Sequence, residues 1–471
     1  MSHKARFALG GLLVFILAGL VGCSIFRRNS DSSLYQASGE SGEVRKTWSG
    51  LSFFGQVTVE GEPAASLIAL GFDSERAWSD FDDWEPAVGA DPNAPYVYQL
   101  TTRYDGPRPC KICPLPAIVF RRSTDGGATW EPERFLVETK KSQNDPQIEV
   151  SNDGAIYAVI LNDYRPGVKF LKSTDHGGTW SRPIVISPPG TNPAWSDRPV
   201  LAISSDGRDV YIGFNASASY VAASHDYGLS FLPPARTSKD RRYWFHNGGA
   251  VAPDGDVYFS VVDFSQSYAG DSFVDVLKST DSGISWTTTR VDTSSEMPDC
   301  EWSPGCYLGF FGPLASLAAD RDGTILLAYN AGDVPGAPQQ LYVRTSPDGI
   351  DWSPRRMVSV PDPAVNNAFP AVAAGFEPGD FRLVWQDDRN GSTDSWNTWY
   401  SSTTDGGETW SEPVRLSDLD SGAPYKHPGG YLFPYGDYLE IAVDGNGTNH
   451  VIWGEGMSYI GPGGTWYTRG Q

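Results

Sequence analysis

The phrase Ser123-Thr-Asp125-Gly-Gly127-Ala-Thr129-Trp130 is the first of six near-copies in the chain, the others ending at Trp180, Phe231, Trp286, Trp352 and Trp410. The acids at their centres are Asp125, Asp175, Asp226, Asp281, Asp348 and Asp405, spaced 50 to 67 residues apart. Self-similarity at such a period marks a repeat architecture, built of units that cannot bury an apolar face alone. Each copy lies between two β-type runs, such as Val168–Lys172 before the second and Trp180–Ile186 after it. The residue types explain a turn. Gly permits positive φ, the Asp and Ser/Thr side chains hydrogen-bond backbone amides, and the closing aromatic packs on the sheet below. The six acids are therefore expected to be structural, because a position that serves every repeat need not touch a ligand.

Alignment of the units shows more than the six turns do. Inner-strand candidates begin near Pro86, Gln147, Pro199, Gly248, Leu314, Pro370 and Tyr438. Most run into an Asp-Gly or Asn-Gly turn, such as Asn152-Asp-Gly154, and then a second strand, such as Ala155–Leu161. That makes seven units. The last ends at Gly464–Thr468 without its own repeated turn or fourth strand, and the run Leu51–Val59 is free to supply the missing strand. The expected fold is all-β, a β-propeller of four-stranded antiparallel blades closed by an N-terminal strand. Seven blades are expected, with six as the alternative if the N-terminal region pairs differently. Closure removes the exposed edge an open array would carry.

The repeated phrase resembles the Asp-box, or BNR repeat, of sialidases and other β-propellers. Five copies keep the spacing Ser/Thr-x-Asp-x-Gly-x-Ser/Thr-aromatic; the copy at Asp348 is one residue shorter, and the copy at Asp226 carries Phe231 for Trp. A second resemblance lies at the start of the chain. Lys4 and Arg6 precede an apolar stretch from Phe7 to Val21, shorter than the ~20 residues of a spanning helix. It leads into Leu20-Val-Gly22-Cys23, which resembles a bacterial lipobox and implies cleavage before Cys23 and lipidation of its thiol. Residues 1–23 are thus expected to be a signal peptide, 24–46 a polar tether of roughly 25 Å reach, and 47–471 the propeller. The protein is expected to be exported and lipid-anchored to the cell envelope, at the outer membrane or cell surface.

Net charge of −21 and a sequence pI near 4.6 argue against nucleic acid and against an anionic membrane surface. Membrane contact is expected through the lipid only, and a monomer is expected. Cys110, Cys113, Cys300 and Cys306 form an even set, read as two local loop staples; a zinc site lacks its second Cys-x-x-Cys.

Antiparallel blades put the repeated turns on one face. The second-to-third-strand loops and inter-blade links lie on the other, where the inner strands begin, and that mouth is the place for a site. Trp84-Glu85-Pro86, Asn144-Asp145-Pro146, Trp195-Ser-Asp197-Arg198-Pro199, His246 and Asp437-Tyr438 enter the inner strands, while Arg103, Arg165 and Arg389 sit in the loops.

Three readings compete. In the first, a glycoside hydrolase, paired carboxylates act as acid and base and aromatic faces hold sugar rings. Resemblance to sialidases implies an arginine clamp of Arg198 and Arg389 with Arg103 or Arg165, Asp197 or Asp145 as the acid, and a Tyr–Glu nucleophile at Tyr438 beside Asp437. Trp195, Trp84 and His246 would then contact substrate. The Arg-Ile-Pro signature of catalytic sialidases is absent, and Glu85-Pro86 stands in its place. In the second reading the propeller binds glycan or glycoprotein without catalysis. In the third, the acids and arginines are local ion pairs, which requires Arg198 and Arg389 to be buried and paired. No cofactor is expected; Ca²⁺ would find oxygen ligands at the mouth, but no EF-hand-like loop supports it.

Overall fold

The computed structural model describes residues 71–79, 81–163, 167–187, 196–239, 242–264, 270–298, 312–392, 395–420, 422–424, 439–456 and 463–471. Every regular element among them is a β-strand, and the strands form seven antiparallel sheets. The inner strands are Asp83–Ala90, Gln143–Val150, Asp197–Ile203, Tyr243–Val251, Ala315–Ala319, Asn367–Ala374 and Glu440–Val443. Each packs against the next, and the seventh packs against the first. The ring therefore has seven blades, as the inner-strand alignment requires. Six blades have four strands, and blade 6 adds Ala423–Pro424 beside its third strand.

The second strand of a blade is covered by neighbouring blades on both sides. It accordingly reads as a near-continuous apolar run rather than an alternating one. Ile156–Asn162 and Ile325–Ala331 are buried at every position. The core is thus a series of inter-blade layers. In one of them Tyr157, Val159, Leu161 and Phe170 of blade 2 meet Leu201, Val210, Ile212 and Phe214 of blade 3.

The repeated turns hold themselves and then their neighbours. Ser123 Oγ donates to Asp125 Oδ1 (2.8 Å) and accepts from Gly127 N (2.8 Å), while Asp125 takes both the N–H and the hydroxyl of Thr129. The same pattern recurs at Asp175, Asp226, Asp281 and Asp405. At Asp348, one residue shorter, the amides of Ile350 and Asp351 replace it. Gly127 has φ +80°, and a Cβ there would stand 2.1 Å from Tyr467 Oη of the preceding blade. A basic side chain from the preceding blade also reaches the turn's backbone: Arg122 to His176 O, Lys172 to Tyr227 O, Lys278 to Asp348 O and Arg469 to Gly126 O. The six acids therefore order turns and blade junctions, remote from the mouth.

An N-terminal strand closes the ring, but its residues differ from those expected. Arg76–Ala77 pair antiparallel with Tyr467 and Trp466, forming the outer strand of blade 7; Leu51–Val59 lie outside the described residues. Two ladder residues carry no alternating pattern that a sequence scan would register. Side-chain packing reinforces the short pairing. Trp78 meets Trp130 edge-on at 4.5 Å, and the Arg121 guanidinium lies 4.4 Å from the Trp78 ring centre.

Candidate functional site

Four inner strands enter the ring through the same irregular step. The ladder register slips between Trp84 and Ala87, Asn144 and Gln147, Asp197 and Val200, and Ala368 and Ala371. Within each slip a residue with positive φ precedes a proline: Glu85 at 53°, Asp145 at 47°, Arg198 at 47° and Phe369 at 56°. Proline lacks the N–H a ladder needs, so a bulge is where an inner strand can carry one. The residue before it is ordinarily driven to extended φ/ψ, and non-glycine side chains rarely enter the left-handed region. Each such position costs on the order of 1–3 kcal/mol, a form of strain that clusters at functional sites. Bulges also re-aim side chains. Here three charged residues, Glu85, Asp145 and Arg198, come from consecutive blades; Phe369 packs into the core with Trp84 and Trp396.

The first two charges are tied into one network. Tyr104 Oη donates to Glu85 Oε1 (2.7 Å), and Asn144 Nδ2 donates to Tyr104 Oη (3.0 Å). The backbone N–H of Asp145 donates to Glu85 Oε2 (3.0 Å), so each Glu85 oxygen has a donor. On blade 3, the Arg198 amide donates to Asp197 Oδ1 (3.0 Å) and Arg198 Nη2 to Asn247 Oδ1 (2.5 Å). The Arg198 guanidinium lies 5.2 Å from the Phe245 ring centre and is 2% exposed.

Further along the same inner strands a second acidic pair enters the channel. Glu440 of blade 7 accepts the Val88 N–H (3.0 Å) and the Gln147 side-chain amide. Glu149 of blade 2 is close enough to raise its charging cost. Both side chains remain partly exposed. Desolvation by the surrounding ring pushes Glu149 up to about 7. It pushes Glu440 up to about 8, with the Glu149 charge adding to the rise and the Val88 amide, Arg198 and Gln147 opposing it. Neither acid stood among the expected site residues. The signal was present: each is a lone carboxylate between apolar neighbours, Ile148 and Val150 or Leu439 and Ile441, on an inner strand.

The remaining expected residues fall into two groups. Arg103 is fully buried, held by Asp83 (2.7 and 2.8 Å) and by Glu133, which also pairs with Arg121. Arg389 is paired with Asp387 (2.6 Å) and stacked 3.9 Å from the Trp399 ring centre. The structural reading names Arg198 and Arg389: Arg389 is engaged by a protein acid, and Arg198 is buried and hydrogen-bonded to Asn247. With Arg103 held by acids as well, a clamp built on these arginines is not preformed. Trp84 is 2% exposed, sits in the core and donates its indole N–H to Asp82, so it offers no platform for a sugar. His246 is fully buried against Ser219 Oγ (3.0 Å), and burial, followed by the Arg198 charge, pushes it down to about 3. It is a neutral core imidazole and cannot contact substrate.

Trp195, Arg165, Asp437, Tyr438, Cys23, Cys300 and Cys306 lie outside the described residues. Cys110 and Cys113 form a disulfide in the second-to-third-strand loop of blade 1. Among the described residues no group of three or more His, Cys, Asp or Glu side chains is placed to hold a metal ion.

A closed ring of seven antiparallel blades, with ionisable side chains strained into place where the inner strands begin, defines a β-propeller. This one is a sialidase-like β-propeller. The chain is 25% identical over 351 residues to a sialidase of Micromonospora viridifaciens, a match covering 64% of this chain and 51% of that protein. It therefore spans about half the length of this relative. Among solved structures, a polysaccharide lyase, an ulvan lyase bound to GlcA(1-4)Rha3S, superposes with a TM-score of 0.50 at 13% identity, covering 84% of this chain and 95% of that one. A Hadza microbial sialidase gives 0.45 at 14% identity over 77% and 74%. No family model matches the chain.

Proposed function

We propose that the chain is a carbohydrate-acting propeller whose mouth is a glycoside-hydrolase centre, with an acidic sugar such as a sialoside as substrate. The observation that carries this reading is the Tyr104–Glu85 hydrogen bond of 2.7 Å, set on a strained bulge. A phenol beside a carboxylate is an activated nucleophile: as Glu85 takes the proton, the Tyr104 oxygen gains charge and can bond the anomeric carbon. Asp145, anchored through its amide to Glu85, is the acid that protonates the leaving oxygen. Water then releases the sugar from Tyr104, with Asp145 returning as base and Glu85 giving the proton back to the phenol. Arg198, 2% exposed, supplies positive charge to the sugar's carboxylate from beneath the surface rather than by direct contact, with Asp197 accepting its backbone N–H. The 25% identity to a sialidase supports this class of substrate.

The test is hydrolysis of an aryl α-sialoside by the wild type beside Tyr104→Phe, Glu85→Gln, Asp145→Asn and Arg198→Ala. Loss of at least about 10²-fold in each is expected. Unchanged turnover in Tyr104→Phe would place the nucleophile elsewhere. The capture of Arg103 and Arg389 by protein acids favours a second reading, a glycan-binding propeller without catalysis. In that case calorimetry would detect sialoside binding with no turnover. The same proposal includes attachment to the cell envelope through Cys23, checked by metabolic palmitate labelling that Cys23→Ser abolishes.

A further inference from the structure

The repeated turns differ from one another in apolar character at one position in particular, the residue just after the buried turn glycine. In blades 1, 2 and 6 it is Ala128, Gly178 and Glu408; in blades 3, 4 and 5 it is Leu229, Ile284 and Ile350. These three are 74%, 72% and 52% exposed. Tyr227 and Leu232, flanking Leu229, are exposed too. The fold does not require an apolar residue there, because three copies of the turn form without one. Single exposed apolar side chains are ordinary, but the same register in three consecutive blades makes an arc.

The path of the chain says what faces that arc. The outer strand of blade 7 begins at the turn face: Phe72 bridges Gly470, and Gly71 O accepts the Gln471 amide at 3.0 Å. From there the strand runs toward the mouth face, where Trp78 N donates to Thr465 O at 3.0 Å. The described chain thus enters the propeller at Gly71 on the face that carries the arc, downstream in sequence of the apolar run Phe7–Val21. We propose that Leu229, Ile284 and Ile350 dock on a lipid bilayer surface, setting the propeller with its mouth turned away from the membrane. The net charge of −21 selects an uncharged bilayer surface. This inference is independent of the chemistry assigned to the mouth.

Hydrogen exchange of the full chain, with and without phosphatidylcholine vesicles, tests it within one molecule. The turns at 226–231, 281–286 and 348–352 should exchange about tenfold more slowly on vesicles. Those at 125–130, 175–180 and 405–410 should not change. The triple variant Leu229→Ser/Ile284→Ser/Ile350→Ser should lose the difference while remaining attached to the vesicles. Equal behaviour of all six turns overturns the proposal, as does failure of the full chain to associate with vesicles. Protection of the three apolar turns without lipid, growing with protein concentration, would identify a second copy as the occupant and overturn it as well.

Discussion

Replacing Glu440 with Gln should remove a pH dependence of stability that the channel builds in. The carboxyl is pushed up to about 8 in the folded state, against about 4.3 for a free glutamate. A carboxyl with a raised folded-state pKa stabilises the fold while it stays protonated. That contribution is complete below the unfolded value and is lost as pH rises through the folded one. Between about pH 5 and pH 8 the unfolded chain binds fewer protons than the ring does, so stability falls by up to ~1.4 kcal/mol per pH unit. Across the window the loss is at most about 4 kcal/mol, less to the extent that channel water already solvates the acid. The amide can keep both partners: its oxygen accepts from Val88 N, and its NH₂ meets Gln147 once that side-chain amide flips. Denaturant unfolding of wild type and Glu440→Gln at pH 5 and pH 8 gives the double difference, in which titrations not coupled to Glu440 cancel and the Glu149 coupling is counted with it. A wild type that weakens by 1–3 kcal/mol more than the variant agrees with the argument. Parallel behaviour of the two proteins would refute it, since Glu440 would then titrate like a solvated acid.

Other expectations follow from the same geometry. Gly127→Ala combines a left-handed backbone with a Cβ 2.1 Å from Tyr467 Oη, whereas Gly406→Ala, at φ +73°, meets nothing within 4 Å. Urea midpoints should report roughly 1 kcal/mol lost at Gly406 and clearly more at Gly127. Asp83→Asn removes one carboxylate from the fully buried Arg103 and should cost about 3 kcal/mol; an unshifted midpoint would show that Glu133 suffices. Hydrogen bonds from Ser230 hold the Asp226 carboxylate down at about 2. Its stabilisation is present above the unfolded value of ~3.9 and disappears as pH falls through about 2. The stability gap between wild type and Asp226→Asn should therefore shrink between pH 5 and pH 2.

The blades were legible because their signals are local. A turn of eight residues, a hairpin and an apolar second strand declare themselves within one repeat, and seven inner strands can be counted without knowing what each touches. Partners across the ring are another matter. Gln147 and Glu440 are 293 residues apart in sequence and meet only because the last blade packs on the first. Arg103 reads as a loop arginine until Asp83, on the inner strand, and Glu133, just before the outer one, are seen to enclose it. Trp84 and His246 lie near the start of inner strands, but whether a residue there faces solvent or core is decided by a bulge of one residue. The prolines after Glu85, Asp145, Arg198 and Phe369 marked where those bulges lie; the left-handed φ of the residues before them left no trace in the sequence.

Blade 7 is assembled from the two ends of the chain, and this orders events in time. Within a blade, successive strands are hairpin neighbours and can pair as soon as they are made. Ala77 must wait for Trp466, 389 residues later. At ordinary synthesis rates of about 5–20 residues per second, that is a delay of roughly 20 to 80 s. Through that interval the blades form an open arc that grows to six, with the first strand segment unpaired and the inner face of blade 1 uncovered. Long-range pairing of this kind is slow to form. The last residues of the chain therefore work as a latch, and a ribosome that stalls a few dozen codons early leaves a product with every repeat in place and no closed ring.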